Sequence, residues 1–264
     1  MLGKKVILLG ALLAALGGTQ AGVASDKPED GAVMRFHVNV RVDVDAAGKP
    51  TLVEMPEGYP APVRDFVTRR VASWQYLPAS RDGVPQSATT YVRVDACAVP
   101  VEGGYRLDVD FDGNGPRAAG GQPLPSPRYP HEADMRGVEA ELTVIVNIDG
   151  QGHASFERFE NEAFHGGNTR INAGTRKAFE TELRQWVQTL RFDPERVAGQ
   201  PVPKSEVSIP VLFSQSGGRA EWEARQAEAK ASNACRLASG SPPALEPVAL
   251  NPAVKVTPRP AGDG

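Results

Sequence analysis

Leu142, Val144, Val146 and Ile148 alternate with other residues, the two-residue period of a strand with one face in a core. Asp149-Gly150-Gln151-Gly152 then predicts a turn, with a second strand over 154–159. After a Gly- and Asn-rich loop from Gly166 to Gly174, residues Phe179, Leu183, Trp186, Val187 and Leu190 recur at spacings of three and four. That stripe predicts a helix, ended by Pro194. Gly199-Gln200-Pro201 predicts another turn, and Val207, Ile209, Val211 and Phe213 alternate as a last strand.

An earlier segment follows the same order in miniature. Phe36, Val38, Val40, Val42 and Val44 alternate before Asp45-Ala46-Ala47-Gly48, and Val63, Phe66, Val67, Arg70, Val71 and Trp74 mark a short helix. Trp74-Gln75-Tyr76-Leu77-Pro78 stands where Leu190-Arg191-Phe192-Asp193-Pro194 stands later. Gly83-Val84-Pro85 answers Gly199-Gln200-Pro201, and Thr89–Val94 closes the set as a strand. The expected fold is α+β: two tandem units over 32–98 and 128–214, each a small antiparallel sheet with helices on one face.

Other stretches read as connectors. Residues 99–127 hold a strand-like Tyr105–Val109, an expected turn at Asp112-Gly113-Asn114-Gly115, and a Gly/Pro linker from Gly120 to Pro127. Residues 219–238 carry an Ala-lined helical stripe with Trp222, and 239–264 are Pro-rich and expected to be a disordered tail. At the other end, Lys4 and Lys5 precede an apolar run over Val6–Leu16 and then small residues. This is the order of a signal peptide over 1–24, cleaved after Ala21 or Ala24. The expected location is therefore the periplasm, with an inner-membrane anchor as the alternative.

Export changes the meaning of the two cysteines. Cys97 and Cys235 in an oxidising compartment read as a disulfide. A loop of that length is expected to stabilise by ~4–5 kcal/mol in the chain-entropy model. The net charge of -3, with Lys and Arg scattered, argues against nucleic acid and anionic lipid as partners.

Few residues in the chain carry a pattern that points to chemistry. His37, His131, His153 and His165 show no metal-ligand spacing, and His37 has no evident acid or nucleophile near it in the chain. Asp108-x-Asp110-x-Asp112-Gly113 has the start of a calcium loop, but the twelfth position is Ala119 where such loops need a bidentate Glu. No Gly-x-Ser-x-Gly elbow, phosphate loop or Ser-x-x-Lys is present. No catalytic residue, metal or cofactor is assigned.

The later unit resembles the TonB C-terminal domain. The resemblance rests on Pro127-x-Tyr129-Pro130-x-x-Ala133-x-x-x-Gly137, Val144-x-Val146-x-Ile148-Asp149-x-x-Gly152, Trp186 to Pro194, Gly199-x-Pro201 and Ile209-Pro210-Val211-x-Phe213. It implies a three-stranded sheet with two helices, whose last strand is an edge that pairs with an extended segment of an outer-membrane receptor. Pro210 agrees, since a residue without an N–H belongs at a sheet edge, and edges recruit extended peptides. Val207, Ile209, Pro210, Val211 and Phe213 are thus the expected peptide-binding edge. The expected function is a non-catalytic periplasmic adaptor that binds an envelope protein. The alternatives are an atypical energy transducer for outer-membrane transport and an envelope enzyme with a composite site.

Overall fold

The computed structural model describes residues 33–102, 104–166, 173–215, 222 and 247–258. Its sheets are antiparallel throughout, with helices packed on them, so the chain is α+β. The expected signal peptide (1–24) and Cys235 lie outside the described residues, as does the 219–238 helix apart from Trp222, which is helical and buried.

In the first sheet, β1 (Met34–Val44) is flanked by β2 (Pro50–Glu54) and β6 (Ala88–Val101), with Val42 opposite Val53 and Val38 opposite Val94. The period-two pattern puts Val38, Val40, Val42 and Val44 into one core. There α1 (Ala61–Ala72) adds Val63, Val67 and Val71, one helical stripe at spacings of four. Pro62 in the first turn of α1 costs no intrahelical hydrogen bond. Between α1 and β6 run three short strands, β3 (Gln75–Leu77), β4 (Ser80–Arg81) and β5 (Val84–Pro85). On the far side of β6 lies β7 (Gly104–Gly115).

Beyond β8 (Arg117–Ala118) and the short helix α2 (His131–Met135), the second sheet centres on β9 (Val138–Asp149). It pairs with β10 (Ala154–Gly166) on one side and β14 (Lys204–Phe213) on the other. The helix α3 (Ala173–Thr189) buries Phe179, Leu183, Trp186 and Val187 against Leu142, Val144, Val146, Ile209 and Val211. Tyr129 caps this core: its hydroxyl donates to the Val138 carbonyl at 2.8 Å and its ring meets Phe213 edge-on. Burial, reinforced by Glu139 and Asp134, pushes its phenol up to about 12.

Two expectations are corrected. The Asp112–Gly115 turn is instead the end of β7, paired with β6 from Tyr91 to Arg93. Gly115 serves close approach there, since a Cβ would sit 2.3 Å from the Ala249 methyl. The tail predicted over 239–264 is ordered across 247–258. It forms β15 (Val248–Ala249) on β14 and β16 (Lys255–Thr257) on β3, with Val254 fully buried in the first core. The segment 128–214 also lends two short strands to the first sheet. After β11 (Phe192–Asp193), which pairs with β8, β12 (Arg196–Val197) joins β6 of the first sheet and carries β13 (Gln200–Pro201) with it.

Candidate functional site

Among the described residues, two places combine accessibility with open hydrogen-bonding capacity. One is the outer side of β14. Val207, Ile209, Val211 and Phe213 send their side chains into the second core, so the expected edge residues do not present side chains to a guest. The backbone decides what is offered. The Glu206 carbonyl accepts from Leu250 N at 2.9 Å, which fixes the outward parity as Glu206, Ser208, Pro210 and Leu212. Pro210 thus faces outward, where its missing N–H breaks no ladder bond to β9. β14 is not a bare edge, however, because β15 covers it at Val207 and Ser208. Among the described residues no strand pairs with the outer side of 209–213.

The segment covering that edge is held by a buried polar joint. Glu195 is fully buried; Thr90 Oγ1 donates to its Oε1 at 2.7 Å and Ala253 N to its Oε2 at 2.8 Å. Asn114 Nδ2 contributes to Thr90 Oγ1 at 3.1 Å and to the Val254 carbonyl at 2.7 Å. Burial raises the Glu195 carboxyl above its ordinary range, and the bonds from Ala253, Thr90 and Val254 only partly oppose this. A raised folded-state pKa means the fold favours the protonated acid. Glu195 therefore contributes most below its unfolded value of 4.5, and that contribution falls as pH rises from there through the folded value. Glu195→Gln, which mimics the protonated acid, is expected to flatten this loss. The stability difference between Gln and Glu chains, measured by urea unfolding, should grow in favour of Gln as pH rises, with a slope no steeper than about 1.4 kcal/mol per pH unit. A difference independent of pH overturns the expectation.

The other place is a cleft of about 350 Å³ on the polar face of the first sheet. His37, Asn39 and Arg93 form its floor, Glu57 and Tyr59 one wall, and Arg117 with Gly120 to Leu124 the other. The linker wall is fixed. Asp193 Oδ2 accepts from Arg117 Nε at 2.9 Å and from Gly120 N at 3.1 Å, and Arg117 lies 4.3 Å over the Tyr91 ring. Trp186 Nε1 holds the same linker by donating to the Pro125 carbonyl at 2.7 Å. The absence of an acid near His37 in sequence is corrected here: Asp95, directly opposite on β6, pairs with His37 Nδ1. That partner is 58 residues away along the chain and only strand register brings it close.

Sequence reasoning missed this cleft, because its residues come from β1, β6 and the linker and share no local spacing. Among the described residues no group of three or more His, Cys, Asp or Glu could hold a metal ion. His153 sits by the turn carboxylate Asp149 at 3.3 Å, exposed. Asp108, Asp110 and Asp112 are spread along β7, with Asp112 Oδ2 3.7 Å from Arg93 Nε. Cys97 is fully buried on β6, and no cysteine among the described residues is a free thiol.

Comparison with protein-family models, curated proteins and solved structures gives no match for this chain.

Proposed function

We propose that the chain is a non-catalytic binding protein of the cell envelope, which takes up an extended segment of a partner by strand addition along 209–213 of β14. The observation that carries this reading is the outer side of β14 beyond Ser208, with Pro210 at the outward parity. An outward Pro is a device for tolerating an edge, and a short open edge accepts a short guest strand. The partner class is an envelope protein, such as an extended segment of an outer-membrane receptor, and the location is the periplasm.

Two tandem units of one TonB C-terminal-like plan are part of the same proposal. The strand orders β2-β1-β6 and β10-β9-β14 support it. So do the matched turns: Asp45 Oδ1 accepts from Ala47 N and Lys49 N, as Asp149 Oδ1 does from Gln151 N and His153 N. Asp82 and Ala198 both take a left-handed backbone just before a glycine. A Cys97–Cys235 disulfide is likewise proposed, on the even thiol count and the compartment.

The test is a photo-crosslinker at Leu212, outward, against one at Val211, inward, in living cells. A single discrete envelope adduct at Leu212 is the expected result. No adduct, or equal adducts at both positions, sinks the strand-addition reading. A second reading, an envelope enzyme with a composite site, is favoured only by the Asp95-held imidazole of His37 in the cleft. Full hydrolytic activity in a His37→Asn chain removes it.

A further inference from the structure

Arg93 is 5% exposed, yet its guanidinium is poorly served. Nη2 donates to the Asp112 carbonyl at 3.4 Å, near the limit for a hydrogen bond. Nε lies 3.7 Å from the Asp112 carboxylate, beyond hydrogen-bond reach, and has no hydrogen-bond partner. A guanidinium has five donors, and burying one without filling them is costly. Its cross-strand neighbour shows the converse: Asn39, directly opposite Arg93, has a buried Oδ1 with no hydrogen-bond partner. Donor-rich and acceptor-rich groups with spare capacity thus stand side by side on the floor of one cleft. The walls around them are fixed by the Arg117–Asp193 and Trp186–Pro125 contacts.

We infer that this cleft binds a small ligand through a carboxylate with a nitrogen donor on the adjacent carbon, the group shared by a free amino acid and a peptide C-terminus. Arg93 takes the carboxylate, as planar guanidinium forks do. Asn39 Oδ1 accepts from the adjacent N–H. The pairing explains why the floor is not simply a charge sink: a bare anion satisfies Arg93 and leaves Asn39 unserved. The volume of about 350 Å³ sits at the lower end of small-molecule sites, which suits one or two residues of a peptide. None of the lining residues belongs to β14, so the ligand and a guest strand do not compete for the same atoms.

The test is titration of the ¹⁵N-labelled full chain, following side-chain resonances of Arg93 and Asn39. The probes are L-alanine, N-acetyl-L-alanine, alaninamide and inorganic phosphate. Saturable shifts with alanine, with N-acetyl-alanine or with both, and none with alaninamide, support the assignment. The response to the first two decides between a free amino acid and a peptide terminus. Arg93→Lys, which keeps the charge but loses the fork, should weaken binding by about tenfold or more. Asn39→Ala should weaken it severalfold while Arg93 stays in place, so a folding failure in one variant leaves the other decisive. Absence of saturation with either carboxylate, tighter binding of phosphate than of both, or unchanged affinity in Asn39→Ala overturns it.

Discussion

Gly152→Ala is expected to cost more than about 3 kcal/mol and to remove the cooperative unfolding transition of the second sheet. Gly152 closes the β9–β10 turn at φ +80°, where an L side chain costs roughly 1–2 kcal/mol. The larger part comes from space, because an added Cβ would lie 2.0 Å from the Phe192 carbonyl oxygen. That oxygen cannot retreat cheaply. Phe192 N donates to the Gly152 carbonyl at 2.9 Å, and Phe192 is itself buried in the second core. The turn and the strand after α3 are thus pressed backbone to backbone. Gly48→Ala should behave alike, since Gly48 has φ +82° and its Cβ would meet the Tyr76 carbonyl at 2.2 Å. Gly150→Ala, two residues away, is the control: its Cβ would meet only ordinary contacts from 3.6 Å outward. Denaturant unfolding of the three variants decides the matter. Equal midpoints for Gly152→Ala and Gly150→Ala would contradict this account of the turn.

Those two glycines also show what the sequence could and could not reveal. The motif Asp-x-x-Gly was readable at both positions, and the turns formed as expected because an Asp side chain holding its own loop is a local device. Period-two and period-four stripes were equally local, so β1, β9, α1, α3 and β14 fell where the pattern put them. What failed were inferences about who sits beside whom. Asp112–Gly115 carried turn residues, but Gly115 serves the close approach of Ala249, Gly113 that of the Arg93 guanidinium, and both the pairing with β6, which composition does not encode. The stretch 247–258 is Pro-rich and weakly apolar, and two buried residues, Pro247 and Val254, order it together with the acceptors of Glu195 and the pairings of β15 and β16. The cleft was illegible for the same reason: His37 meets Asp95, and Asn39 meets Arg93, only through register.

The largest functional consequence attaches to that ordered C-terminal segment. A chain ended after residue 246 is expected to lose on the order of 5 kcal/mol. Burial of Val254 is worth roughly 1.5–3 kcal/mol. Glu195 and Asn114 each add about 1–3 kcal/mol when left buried without their partners. The same cut strips β15 from β14 and β16 from β3, leaving two bare edges where the intact chain has covered ones. Lower stability should therefore appear together with concentration-dependent self-association in sedimentation. Ending the chain after residue 258 should leave both properties unchanged. If the 246 chain melts like the full one, the joint at Glu195 carries no stability. If it is destabilised yet stays monomeric and gains no crosslinking at Leu212, then β14 is not a strand-accepting edge. The two outcomes separate the segment's part in stability from its part in covering the edge, because the first depends on Glu195, Asn114 and Val254 and the second only on Val248 to Leu250.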